Sequence, residues 1–385
     1  MKIREELILK VLAKESTVVE LAEEYGVARK TIYKWLKRYQ TRGLTGLVDE
    51  SRRPLSSPMK TSAELALEIV QLKKEHMRWG PKKIATVIAK RHPDDESTPS
   101  IVTVRRVLHG VGLMKRTRRR DSGGLAPTPA FFIPTEPNDL WTVDFKGWWH
   151  TQDGAKCEPL TIRDAASRFV LAVRLVTRTR AEDVRPIFEE VFAKYGLPKC
   201  IQSDNGPPFA SMHGLGGLTK LSAWWVSLGI RVVRSRPGHP QDNGGHERMH
   251  CDMRFELEDC RARDLIAQQR ACDDWLTTFN HVRPHEAIGM KTPGEIYRAS
   301  PRRPGRMIVG GYPDGCRLVD IGKSNGNINV DGWKVYLSHA LSGYAVGLQG
   351  HERGYRVWFF HVLLGTFVPG THETLQPAIV EELGA

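Results

Sequence analysis

Hydrophobic and polar positions divide this chain into stretches of different period. In TVVELAEEYGVARKTIYKWLKRY the apolar residues recur at helical spacing: Leu21, Ala22 and Tyr25 share one face, and Ile32, Trp35 and Leu36 share a face of a second helix. Thr17, with Glu20 three residues later, is a capping box that fixes where the first of these helices begins. Gly26 supplies a tight turn and Val27 packs it. The second helix turns Arg29, Lys30, Thr31, Tyr33, Lys34 and Arg38 outward. An ordinary helical hairpin with a solvated face would also fit, but the spacing of Ala22, Gly26 and Ile32 favours a helix-turn-helix whose second helix enters a major groove.

A loop rich in Arg, Pro and Ser follows, with Arg52 and Arg53 as further candidates for phosphate contact. Helical periodicity then returns over 62–79, 81–91 and 99–110, with Arg105 and Arg106 on the polar side of the last segment. This is a second, looser helix-turn-helix or a plain three-helix unit. Lys115, Arg116, Arg118, Arg119 and Arg120 crowd into one short run before a Gly/Pro/Thr segment, which reads as a basic linker able to follow a phosphate backbone or as a solvated tether.

From residue 139 the period becomes that of strands. LWTVDFKGWW, CEPLTIRDAASR and FVLAVRLVT predict three antiparallel strands joined by short connections. A helix ending at Gly196, a short buried strand in KCIQSDNG, a strand in IRVVRSR and a long helical stretch over about 244–281 complete an α/β domain with a mixed sheet. Residues 316–368 are β-rich with Gly-Asn and Asp-Gly turns, which predicts a small barrel or sandwich. The expected division is therefore multidomain: a helix-turn-helix over 1–50, a second helical DNA-binding unit over 60–120, a linker over 121–136, an α/β core over 137–300 and a β-rich domain over 310–370.

Composition sharpens this picture in two ways. The 385 residues carry a formal charge of +13, a bias toward a polyanionic partner such as double-stranded DNA. The six cysteines form no C-x-x-C pair, and no apolar run nears the roughly 20 residues of a membrane span, so a reducing cytoplasmic setting and no membrane partner are expected.

Three acids stand out. Alternation in LWTVDFKGW places Asp144 with Thr142 and Lys146, opposite Trp141, Val143 and Phe145, and an acid in mid-strand is locally costly. Asp204 ends the strand in CIQSDNG, where open α/β sheets place ligands. Glu247 lies in the first turn of a helix, where the dipole alone would favour it. Converging carboxylates make an oxygen-only site suited to Mg²⁺ or Mn²⁺, and two such ions about 3.5 to 4 Å apart can activate one oxygen and stabilise another in a phosphoryl displacement.

Glu247 also sits inside HERMH, residues 246–250, a literal match to the H-E-x-x-H of zinc peptidases. Against that reading, the positions where one class of these enzymes would hold Gly and a third His are Met253 and Glu256, and Gly244 and Gly245 precede the motif. A DNA-binding regulator without catalysis is a second alternative, but all three acids are present. Trp148, Trp149, Trp224 and Trp225 could stack on bases or belong to the core, and His239, His246 and His250 could touch phosphate.

The residues resemble the DDE transposases of bacterial insertion sequences and the retroviral integrases. The matching motifs are W-x-x-D (Trp141 to Asp144), S-D-N-G-x-x-F (Ser203 to Phe209), G-x-P-x-x-N-G-x-x-E (Gly238 to Glu247) and N-x-x-R-P-H (Asn280 to His285). The resemblance covers roughly 137–300 closely. It implies an RNase H-like core with Asp144, Asp204 and Glu247 as metal ligands for two Mg²⁺ or Mn²⁺ ions, and a transposase that cleaves element ends and transfers a 3′-OH to target DNA. It also implies a homodimer or larger assembly on DNA, at the bacterial nucleoid. The interval from Asp204 to Glu247 is longer than in the best-known members, with the surplus in SMHGLGGLTKLSAWW. No paired His and Cys of a retroviral zinc module are visible, so no structural zinc is expected.

Overall fold

A computed structural model describes residues 2–50, 61–94, 98–114, 133–211, 214–235, 244–305, 311–370 and 375–378. The chain forms two units, Met1–Ser62 and Ala63–Ala385.

The first unit packs α1 (Lys2–Leu12), α2 (Val18–Glu24) and α3 (Arg29–Arg42) around Leu7, Ile8, Leu21, Ala22, Ile32 and Leu47. The Thr17 side chain accepts from the Glu20 N–H while the Glu20 carboxylate accepts from the Thr17 N–H, closing the capping box. Gly26 takes φ +63°, a left-handed value that a side chain would strain, and this lets the chain reverse between α2 and α3.

The second unit begins with α4 (Ala63–Glu75), α5 (Pro81–Arg91) and α6 (Ile101–Gly110), held by Ile69, Leu72, Trp79, Ile84, Ile88, Val104 and Leu108. This trio touches the following domain through polar and cation–π contacts: Lys90 meets Glu295 at 2.7 Å, and the Arg78 guanidinium lies 3.8 Å from the Phe255 ring centre.

The central sheet comprises β1 (Leu140–Phe145), β2 (Trp149–His150), β3 (Lys156–Asp164), β4 (Val170–Val176), β5 (Cys200–Ser203) and β6 (Arg231–Arg234). β3 pairs antiparallel with β1, β2 and β4, whereas β1, β5 and β6 run parallel. The first expected strand is in fact two: Gly147, at φ +92°, breaks the run between β1 and β2 and turns Trp149 into the core while Trp148 stays exposed.

Helices cover both faces of this sheet. On one face α7 (Ala181–Tyr195) and α8 (Lys220–Ser227) close over Trp141, Val143, Leu160, Ile162 and Ile201. On the other lie α9 (Gly244–Met253) and α10 (Leu265–His281), which pack Met249, Met253, Trp275 and Phe279 on Val170 and Val173. The expected single helix over 244–281 is interrupted, because a π-helical turn at Arg254–Glu258 ends the first half and Asp264 caps the second by accepting the Ala267 N–H. A short α11 (Pro293–Ile296) follows.

The C-terminal part has a five-stranded antiparallel sheet of β7 (Arg317–Asp320), β10 (Ala345–His351), β11 (Gly354–Phe359), β12 (Val362–Phe367) and β13 (Gln376–Pro377), plus a hairpin of β8 (Asn327–Val330) and β9 (Trp333–Tyr336). Asp331 and Gly332, both at positive φ, form the two-residue hairpin turn. The surplus segment joins this part to the core. α8 sends Leu221, Trp224 and Trp225 into the central domain and Ala223 and Val226 into the β-rich cluster, so one helix serves two cores.

Candidate functional site

Strand register brings two of the three acids together. β1 and β5 are parallel with Leu140 opposite Cys200, Trp141 opposite Ile201 and Thr142 opposite Gln202. Carried two residues onward, past the end of β5 at Ser203, the same register would bring Asp144 opposite Asp204. Alternation gives both acids the face shared by Thr142 and Gln202, opposite the aromatic core. They lie at the carboxyl ends of parallel strands, where the backbone stops pairing and polar groups can face a ligand.

Each acid has a distinct setting. Asp144 is half-buried within β1, and Asp204 is exposed one residue beyond β5. Neighbouring protein still thins the water around the Asp204 carboxyl and raises its pKa, with the Gly206 N–H pulling partly the other way. A methyl group on Gly206 would lie 3.3 Å from Asp204 Oδ2, so this turn has little space for a side chain. Glu247 is exposed in the first turn of α9. Among the described residues, no three His, Cys, Asp or Glu side chains form a group that could hold a metal ion.

A hydrogen-bonded bridge fastens α9 to the acid-bearing face. Thr161 stands opposite Asp144 in the β1–β3 ladder. Its hydroxyl lies 2.9 Å from both the Asp144 carbonyl oxygen and His250 Nε2, one helical turn beyond Glu247. Burial, reinforced by Lys146 and Arg163, lowers the His250 pKa to about 4 and keeps the ring neutral near pH 7. His246 is buried and likewise depressed by burial. The two rings lie along one face, tilted to each other with centres 5.3 Å apart, as i, i+4 spacing allows, but that face is turned into the protein, whereas Glu247 faces out.

The N-x-x-R-P-H motif holds the scaffold. The Asn280 amide pairs with both backbone groups of Val170 on edge strand β4, at 2.9 and 2.8 Å. Arg283 is buried against Asp252 at 2.5 Å and lies 3.6 Å from Glu256, whose carboxylate also accepts the Trp275 Nε1–H. His285 packs on Phe279, and burial lowers its pKa to about 3.

The other candidates divide by exposure. Arg29, Lys30, Tyr33 and Lys34 are exposed on α3, Thr31 is half-buried, and Arg38 is half-buried in an ion pair with Glu50. Arg105 and Arg106 are exposed on α6. Arg52, Arg53, Lys115, Arg116, Arg118, Arg119, Arg120 and His239 lie outside the described residues. Of the four tryptophans, Trp149, Trp224 and Trp225 are core residues, and Trp148 is exposed beneath the Lys156 ammonium. Sequence reasoning passed over Thr161 and Arg163; a charged residue amid the apolar LTIRDA was the available signal.

Family models match the same regions. Residues 134–240 match an integrase core domain and 228–293 match a second integrase core domain model, so the two together span Asp144, Asp204 and Glu247. Residues 3–54 match a helix-turn-helix domain and 31–108 a homeodomain-like domain. These matches support an insertion-sequence transposase with an integrase-like core. An uncharacterized 39.2 kDa protein of insertion element IS476 from Xanthomonas euvesicatoria is 23% identical over 66% of this chain and 70% of its own length. An uncharacterized 31.7 kDa protein of insertion element IS407 from Burkholderia multivorans is 24% identical over 65% of this chain and 87% of its own. The catalytic core of HTLV-2 integrase, solved in complex with magnesium, is 21% identical, covers 42% of this chain and 98% of its own, and has a TM-score of 0.34. No helix among the described residues of this transposase is long and apolar enough to cross a membrane.

Proposed function

We propose that this transposase binds the ends of its mobile element and performs metal-dependent strand cleavage followed by strand transfer, with Asp144, Asp204 and Glu247 as the metal ligands. The observation that supports this reading is the parallel β1–β5 register, by which the strand bearing Asp144 and the strand leading into Asp204 run side by side toward their carboxyl ends. The donor set fits a hard cation: it is all carboxylate oxygen, and a bound cation would offset the burial that raises the Asp204 pKa. Mg²⁺ or Mn²⁺ bound there would lower the pKa of an attacking oxygen and neutralise charge on the leaving one.

The protein's part is to place these groups. β1 carries Asp144 and β5 leads into Asp204, while the Thr161–His250 bridge ties α9, whose first turn carries Glu247, to the same sheet face. A neutral His250 serves this purpose, because an imidazolium would add positive charge where the cation belongs. Exposed Arg29, Lys30, Tyr33 and Lys34 on α3 would read the element ends, and Arg105 and Arg106 on α6 would add phosphate contacts. Bringing two ends together requires at least a dimer on DNA.

Incubating labelled element ends with Mg²⁺ tests the proposal. Asp204→Asn should abolish cleavage and strand transfer while binding the ends nearly as well as wild type. Strand transfer that survives this substitution unchanged would sink the assignment.

A further inference from the structure

The sheet face that carries Asp144 also carries a buried cation with no ion-pair partner among the described residues. Arg163 stands opposite Thr142 in the β1–β3 ladder and therefore shares a face with Thr142, Asp144 and Thr161. It is 6% exposed, and among the described residues no acceptor meets its guanidinium. The adjacent Asp164 offers little relief. Its carboxylate already accepts the Asn138 N–H at 2.7 Å, the Ser167 N–H at 2.7 Å and the Ser167 hydroxyl at 2.5 Å, and strand alternation turns it to the opposite face. Burial, with Arg168 adding a like charge, lowers the Arg163 pKa to about 10.

The guanidinium is aimed at the first turn of α9. A methyl group on Gly245 would lie 2.1 Å from Arg163 Nη1 and 2.6 Å from Nη2, so only glycine admits it. Next to it, Gly244 has nothing among the described residues within 4 Å of where a side chain would start. A helix N-terminus presents unpaired N–H groups and about half a positive charge. Two positive poles thus meet at Gly245, an arrangement that an anion bridging both from one side would relieve.

We propose that Arg163 and the first turn of α9 form a seat for one phosphate of the DNA backbone beside the acid site. The guanidinium and the α9 N–H groups each face a non-bridging oxygen of that phosphate. The seat accounts for two choices that local propensity opposes: an arginine buried within strand β3, and two glycines opening a ten-residue helix. The inference rests on the strand-transfer reading only for the anion being DNA, because anion binding itself can be measured without any reaction.

The test has two arms, both on the full chain. In the first, inorganic phosphate is added at constant ionic strength against chloride and thermal unfolding is followed. Wild type should melt at a higher temperature in phosphate, and Arg163→Met should lose that rise. In the second, binding of a labelled duplex is measured against salt without divalent metal. Arg163→Met should lower the slope of log K against log salt by about 0.9, the value for one lost phosphate contact. A merely structural role would change stability without changing that slope. A phosphate response retained in Arg163→Met overturns the seat, and a lost phosphate response with an unchanged duplex slope overturns DNA as its ligand. If Arg163→Met does not fold, Gly245→Ala supplies the same readouts, since its methyl would take the space of the guanidinium.

Discussion

The two faces of the central sheet are built from the same strands and obey different rules. Toward α7 and α8, Trp141, Phe188, Phe192, Phe209 and Trp225 interlock with ring centres 4.8 to 6.0 Å apart, and the buried Asp164 is satisfied by Asn138 and Ser167. Toward α9 and α10, the strands turn Thr142, Asp144, Thr161 and Arg163 into a layer that also holds His246, His250 and the Arg283 pairs. The first face gains mainly from burial. The second buries charges and rings whose states depend on their neighbours, so its chemistry is more easily disturbed than its packing.

Substitutions can break this contrast or sharpen it. The largest stability loss is expected on the aromatic face: Trp225→Ala should cost about 3 to 5 kcal/mol in urea unfolding, because its ring is fully buried among Phe188 and Phe209. Next comes Arg283→Met, which strands the Asp252 carboxylate in the interior and should cost roughly 3 kcal/mol. A paired Arg283→Met/Asp252→Asn change should recover part of that loss. Equal losses in the single and double variants would show that the pair is not the source of the effect.

Acid should act on the second face more than the first. His250 and His285 are held near pKa 4 and 3 by burial, below the ordinary value near 6.5, so the unfolded chain binds their protons first. Stability should therefore be full above about pH 6.5 and fall as pH drops toward 4, by up to about 1.4 kcal/mol per pH unit for each group. Denaturant unfolding across that window, compared with His285→Gln, checks the slope, and an identical slope in the variant would remove His285 from the account. Smallest is Thr161→Val, expected to cost about 1 kcal/mol by cutting the link between β3 and α9. It should nonetheless reduce strand transfer by more than that stability change explains, which a parallel assay of activity and unfolding would reveal.

Much of this contrast was legible from alternation. Period-two patterning separated Asp144 from Trp141 and Val143 correctly, and the capping box at Thr17 and Glu20 appears as read. Motif order led to the integrase core. Alternation could not reveal register, which depends on pairing between strands distant in sequence, so the Asp144–Asp204 alignment and the Thr142–Arg163 pairing needed the fold. Nor could helical periodicity expose the π-helical turn at Arg254–Glu258, since the apolar spacing continues across it. α8 resisted reading for another reason: being buried on two sides, it has no polar face to mark which cluster each residue joins.

The central claim is that the second face holds a hard cation between its strand-end acids. Titration of the full chain with Mn²⁺, followed by the EPR signal of the free ion, tests it without any knowledge of the element ends. Wild type should bind Mn²⁺, and Asp144→Asn and Asp204→Asn should each weaken binding by at least roughly tenfold, since even the loss of an outer partner of a ligand costs that much. Arg163→Met should leave the affinity close to wild type. Mn²⁺ binding of unchanged strength in both aspartate variants would contradict the account.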